Sequence, residues 1–188
     1  MLVCDGNDAK SKALSNTEKA VEILYKNRKR KFNSERQLAD FIIEIACVVN
    51  SGIVKEDKLF RNGKDSTKYC YVRIKDLNKV WLIFIASLFK MLNNNVSETV
   101  YIAAYSEYII NAIGHFFSDG CGKISMLISM YIFMRANRPC VHYVNRSQYY
   151  EIINNTTIYT PENFSDVLKT EAFDHFLQYY ESLCKHAS

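Results

Sequence analysis

The apolar positions of the chain recur mainly at helical spacing. Leu38, Phe41, Ile42, Ile45 and Val49 lie on one face of a helix that Ser34 and Gln37 open as a capping box and that Asn50, Ser51 and Gly52 close. After a cap at Asp76, Leu77, Val80, Trp81, Phe84, Leu88 and Leu92 repeat the pattern up to an Asn triplet at 93–95. Ser97 is the expected cap of the next helix, through Val100, Ala104, Tyr108 and Ile109 to about Ile113. Residues 122–136 are apolar nearly all round, as befits a helix buried at the centre of a bundle. Further helices are predicted at 147–154, from Thr160 with Pro161 just inside its start, and at 170–185, and a short one at 16–26.

One stretch has a different period. In residues 68–74, from Lys68 to Ile74, aromatic and β-branched side chains alternate with polar ones, which predicts the short β-element of the chain, a flap between two helices. Its backbone could pair with an incoming peptide or simply cross the surface. The fold class expected is therefore all-α: a bundle around one central helix, with a short hairpin flap. Residues 1–33 are read as a loosely attached arm and 34–188 as a single helical domain.

The 48% hydrophobic content of the 188 residues suffices for one core, and six Gly with two Pro are too few for a many-stranded β-protein. Twenty-four basic against twenty acidic side chains leave +4, short of the dense field of a dedicated nucleic-acid binder. The run Lys26, Arg28, Lys29, Arg30, Lys31 reads as a solvated junction rather than a nucleic-acid contact. Six scattered cysteines without a Cys-x-x-Cys pair read as reduced thiols, hence a cytoplasmic setting. No secretory leader or membrane span is expected. A toxin or an effector exported by a specialised machine would look the same.

Three of the six glycines, Gly114, Gly120 and Gly122, cluster between two predicted helices, with His115, Phe116, Phe117, Ser118 and Asp119 between them. Glycines at a helix N-terminus leave N–H groups open to an anion, and Lys123 adds a point charge, so the segment reads as a phosphate cradle; on glycine spacing alone, a tight interhelical turn accounts for it equally well. Asp119 supplies a carboxylate for Mg²⁺ beside bound phosphates, and His115 is the one nearby group that titrates near neutrality. A Walker loop is excluded, because Phe117 stands for its Gly, Ile124 for its Ser/Thr, and a helix precedes the segment where a strand is needed.

The string from His115 through Phe117, Asp119, Gly120 and Gly122 to Lys123 resembles the Fic motif, His-x-Phe-x-Asp/Glu-Gly-Asn-Gly-Arg. The resemblance extends from Phe60 to Glu181, taking in the flap, the buried helix, an Arg138-Pro139 turn and the pair Tyr149-Tyr150. It implies the fold of the Fic/Doc family and transfer of AMP, or another phosphate-containing group, from ATP with Mg²⁺ to a protein Ser, Thr or Tyr hydroxyl. His115 would be the base, Asp119 the metal ligand, Gly120, Cys121, Gly122 and Lys123 the phosphate-binding turn, and Phe117 a core anchor. A protein substrate would dock on the flap. Relatives with altered motifs act as Doc-type kinases, and a non-catalytic module that binds nucleotide or protein is the other reading.

Cys121 replaces the motif's Asn, Lys123 its first Arg, and Met126 its second. No Ser/Thr-x-x-x-Glu-Gly/Asn string marks an internal inhibitory helix, so restraint is expected from a separate partner such as an antitoxin, or from the altered motif itself; a homodimer is also compatible. Cys121, at a helix N-terminus beside Lys123, is expected to have a lowered pKa. Cys140 and His142 match no zinc spacing. Tyr149 and Tyr150 include either a base-stacking ring or only core packing.

Overall fold

A computed structural model describes residues 6–94, 98–141 and 145–186, and its architecture is all-α. The helices are α1 (Gly6–Lys26), α2 (Glu35–Val49), α3 (Leu77–Asn94), α4 (Thr99–Tyr108), α5 (Cys121–Arg135), α6 (Arg146–Ile152) and α7 (Glu171–His186). Ser34 caps α2 as expected, its hydroxyl accepting from Gln37 N–H at 3.3 Å, while the Gln37 side chain accepts from Asn33 N–H at 3.0 Å. Asp76 lies in a 3₁₀ turn (Ile74–Asp76) that runs straight into α3. The caps expected at Asn95 and Ser97 lie outside the described residues.

Two helices share the centre. In α5, Ile124, Leu127, Ile128, Tyr131, Ile132 and Phe133 are all buried, as its all-round apolarity requires. In α4 every residue from Ile102 onward is buried, although its sequence suggested one inward face, and α4 and α5 form the most extensive helix pair. The reason lies in its composition: Ala103, Ala104 and Ser106 are small enough to admit close neighbours, and the Ser106 hydroxyl donates to Ala103 O at 2.9 Å, so it is satisfied within its own helix.

The N-terminal helix is longer than residues 16–26 and is not loose. Ala20 and Leu24 have no exposed surface, and α1 packs on α2 and α5. Asn16, also buried, donates to the carbonyls of Val49 and Ser51 and so ties α1 to the end of α2. Beyond Pro161 the chain forms a turn and a 3₁₀ segment (Phe164–Lys169) rather than an α-helix, with Asn163 Oδ1 accepting from Thr160 N–H at 2.7 Å. None of the helices described is long and apolar enough to cross a membrane.

The expected hairpin flap is corrected: residues 68–74 form no strand. Their backbone is extended, but its donors go elsewhere than to a ladder. Lys68 and Tyr69 N–H donate to Ser66 Oγ, Val72 N–H to Ile113 O at 2.9 Å, and Ile74 N–H to Asp65 Oδ1 at 2.7 Å. The alternation places Tyr69 and Tyr71 on one side, where their rings stack, and sends Val72 into the core.

Gly114 and Gly63 make opposite predictions. A Cβ on Gly114 would lie 2.3 Å from the Phe116 ring, whereas one on Gly63 would meet nothing within 4 Å. Gly114→Ala is expected to lower unfolding free energy by about 1–3 kcal/mol, and Gly63→Ala to leave it within about 0.5 kcal/mol, in paired denaturant titrations.

Candidate active-site cleft

The path to the site begins where α4 changes pitch. Past Tyr108 the helix widens into a π turn (Ile109–Gly114) that ends at His115, held at φ 42° and ψ 51°. Left-handed backbone costs a non-glycine residue about 1–2 kcal/mol, so the neighbours must enforce it. Arg61 does most of this. Its guanidinium donates to His115 O at 2.5 Å, Gly114 O at 3.0 Å and Val72 O at 2.6 Å, and its own N–H donates to Phe116 O. Ser118 completes the clamp, with its N–H on Leu59 O and its hydroxyl on the carbonyls of Lys58 and Phe60.

Between these ties Phe116 and Phe117 turn fully inward against Trp81, Phe84 and Phe60. Phe117 thus has the anchoring place expected of it, and Phe116 shares it. Gly120 takes φ 73°, and a side chain there would press on Asn50 and Val49 at 3.3 Å. Asn50 Nδ2 donates to Asp119 O at 3.2 Å and so fixes the approach to α5.

The imidazole of His115 sits with Nδ1 3.0 Å from Asn111 O. A carbonyl can only accept, so Nδ1 carries the hydrogen and Nε2 is left as the ring's acceptor. Tyr71 lies parallel to the imidazole at 4.0 Å, and Tyr69 stacks on Tyr71. Burial lowers the His115 pKa, and the Arg61 charge adds to this against the Asn111 carbonyl and Asp119. Tyr71 is pushed up to about 12, chiefly by burial.

Behind His115 runs a buried polar chain. The Asn111 amide donates to Tyr149 Oη at 3.0 Å; that hydroxyl donates to Glu107 at 2.8 Å, and Tyr180 Oη approaches the other Glu107 oxygen at 3.4 Å. The tyrosine pair therefore divides: Tyr149 is buried in this network, and Tyr150 is exposed on the cleft.

His115, Asp119, Gly120, Cys121, Gly122 and Lys123 all line one cleft of about 700 Å³, together with Tyr69, Tyr71, Asn111, Met126 and Tyr150. The first intrahelical bond of α5 is Ile124 N–H to Gly120 O, so the N–H groups of Cys121, Gly122 and Lys123 precede it and have no partner within the helix. Asp119 uses one carboxylate oxygen on Gly120 N–H at 2.8 Å. Its second is a hard oxygen donor suited to Mg²⁺ shared with a phosphate; the described residues contain no cluster of three His, Cys, Asp or Glu that would cage a metal unaided.

The reactive-thiol expectation for Cys121 is corrected. Its side chain turns into the loop, where Sγ takes Phe117 N–H and donates to Phe117 O, both at 3.3 Å. Burial pushes its pKa up to about 12, outweighing the helix N-terminus. Cys140 is a half-buried thiol near Met130 O, and His142 lies outside the described residues. Arg61, Asn50, Asn111 and Glu107 escaped sequence reasoning, because their partners are remote in sequence and no local spacing marks them.

No protein-family model matches the sequence, and no curated protein matches it. Solved structures do. A Fic domain-containing signaling protein from Bacteroides thetaiotaomicron VPI-5482 superposes with a TM-score of 0.76 at 15% identity, covering 94% of this chain and 69% of that one. The fold is thus that of a Fic domain.

Two outcomes test the geometry. In the native protein Cys121 is expected to resist iodoacetamide at pH 8 until the chain unfolds, while half-exposed Cys70 reacts, as peptide mass mapping would show. Arg61→Lys keeps the charge but loses the fork, and is expected to cost about 2–3 kcal/mol in denaturant unfolding.

Proposed function

We propose that the protein is a Mg²⁺-dependent transferase that moves a phosphate-containing group, AMP from ATP in the first instance, onto a hydroxyl of a protein substrate. The observation that carries this is the meeting, in one cleft, of a neutral imidazole with its Nδ1 already committed, an exposed carboxylate and the open N-terminus of a buried helix.

In this reading His115 Nε2 takes the proton of the attacking hydroxyl. The new oxygen–phosphorus bond forms at the α-phosphorus, and pyrophosphate leaves. The N–H groups from Cys121 to Lys123 and the Lys123 ammonium stabilise charge on the phosphate oxygens. Mg²⁺ held by Asp119 would neutralise charge on the nucleotide phosphates. The imidazole is preset for this work: burial keeps it neutral at and below the ordinary histidine range, so it is available as a base at pH 7. Docking of the substrate is placed at Tyr69, Cys70 and Tyr71, which edge the cleft through side chains rather than a strand.

Among the described residues no part of α1 or α7 lines the cleft, which supports restraint by a separate protein over an internal helix. The free state of all described cysteines supports a reducing, cytoplasmic setting.

A second reading, a module that binds nucleotide or protein without turnover, is favoured by one feature. Lys123 is the lone cation lining the described cleft, and Met126 lines the wall beside it. The test is incubation with α-labelled and, separately, γ-labelled ATP, Mg²⁺ and a bacterial lysate. Label from the α position that vanishes in His115→Ala and on chelation of Mg²⁺ is the expected outcome. Label from the γ position alone means a kinase, and His115-independent or absent label supports the binding module. The His115-dependent rate is expected to hold on lowering pH to 6.5, the ordinary histidine value, and to fall only below it, because the folded-state pKa is depressed.

A further inference from the structure

The basic run at the junction of α1 and α2 does not simply face solvent. Arg28, Lys29, Arg30 and Lys31 border a cavity of about 320 Å³, and the fold brings Arg135, from the last turn of α5, to the same rim. The floor is apolar, made of Leu92, Ile102 and Ile132, and no acidic side chain lines it. None of the five cations takes part in the described ion pairs, which join Lys26 to Glu22, Arg36 to Asp40 and Lys169 to Asp166. Five like charges collected round one hollow repel one another, and an anion there would relieve that repulsion.

The guanidinium groups are held in place before any ligand arrives. Arg28 lies 3.9 Å over the Tyr25 ring and donates to Tyr25 O at 2.8 Å. Arg30 sits over Phe32 and Phe41, and Arg135 over Phe32 and Tyr131, with one Arg135 nitrogen donating to Arg30 O at 3.2 Å. Stacking fixes the planes and leaves N–H groups on each fork uncommitted, the arrangement that suits a tetrahedral oxyanion. The volume matches the smaller ligand pockets, which start near about 300 Å³.

We propose that this cavity is a second binding site, for an organic phosphate monoester whose planar or apolar body rests on Leu92, Ile102 and Ile132 while its phosphate lies among the arginines. It stands at the opposite end of α5 from Cys121, about 22 Å away along a helix of fifteen residues. It does not depend on the role proposed for His115.

Amide NMR of the full chain titrated with phenyl phosphate, with phenol and a short single-stranded RNA as comparisons, tests it. Phenyl phosphate is expected to shift the amides of Thr99, Ile102, Ile132 and Ala136, in His115→Ala as in the wild type, and phenol is not. Affinity is expected to drop about tenfold in Arg28→Gln/Arg135→Gln, the size of losing one charge-assisted contact. Should that variant fail to fold, Lys29→Gln/Lys31→Gln, altered only at exposed lysines, is expected to weaken binding in the same direction. Shifts confined to Gly120 and Gly122, an affinity unchanged in the folded variants, or RNA binding the rim more tightly than the monoester would each overturn the proposal.

Discussion

The carbonyls at the end of the π turn need donors that the helix itself no longer provides, and the Arg61 guanidinium supplies them. One flat fork reaches Gly114 and His115 on one side and Val72 on the other, so two segments far apart in sequence are held by a single side chain. The left-handed turn at His115, the inward swing of Phe116 and Phe117, and the opening of α5 toward the cleft all follow from that junction. Leaving those carbonyls buried and unpaired would cost about 1–3 kcal/mol each, comparable with the strain they help to hold.

The helices were legible because periodicity reports which side of a segment is buried, and Ser34, Gln37 and the glycines punctuate it. The density of glycines likewise exposed the segment around His115 and Asp119. The alternation in residues 68–74 also reported something real, an extended backbone with Tyr69 and Tyr71 on one side, but alternation carries no information about whether a partner strand exists. Cys121 failed for a different reason. Position at a helix N-terminus predicts the dipole acting on a thiol, whereas burial depends on where the loop folds. Asn50, Glu107 and Arg61 act across 40 residues or more, beyond the reach of any local pattern.

The departures from the Fic motif have physical content in this fold. Where an amide is the family's residue, Cys121 closes the loop upon itself through both polar groups of Phe117. Lys123 is an exposed point charge, and Met126 lends a thioether to the cleft wall. An anion bound there would rely on backbone N–H groups, a carboxylate-held cation and one ammonium, a softer grip than paired guanidinium forks would give.

The π turn at Ile109–Gly114 sets the phase between two parts of the chain made under different rules. Upstream, α4 is shaped to be buried on all sides; downstream, each residue from His115 to Lys123 has its own direction to face. A wide turn holds one residue more than an ordinary helical turn, and removing it would rotate everything beyond by about 100°. The imidazole would then leave the Asn111 carbonyl and the Tyr71 ring together. Drift in amino-acid identity along the cleft is thus the milder insult to this architecture; the gain or loss of a single codon just ahead of it is the severe one.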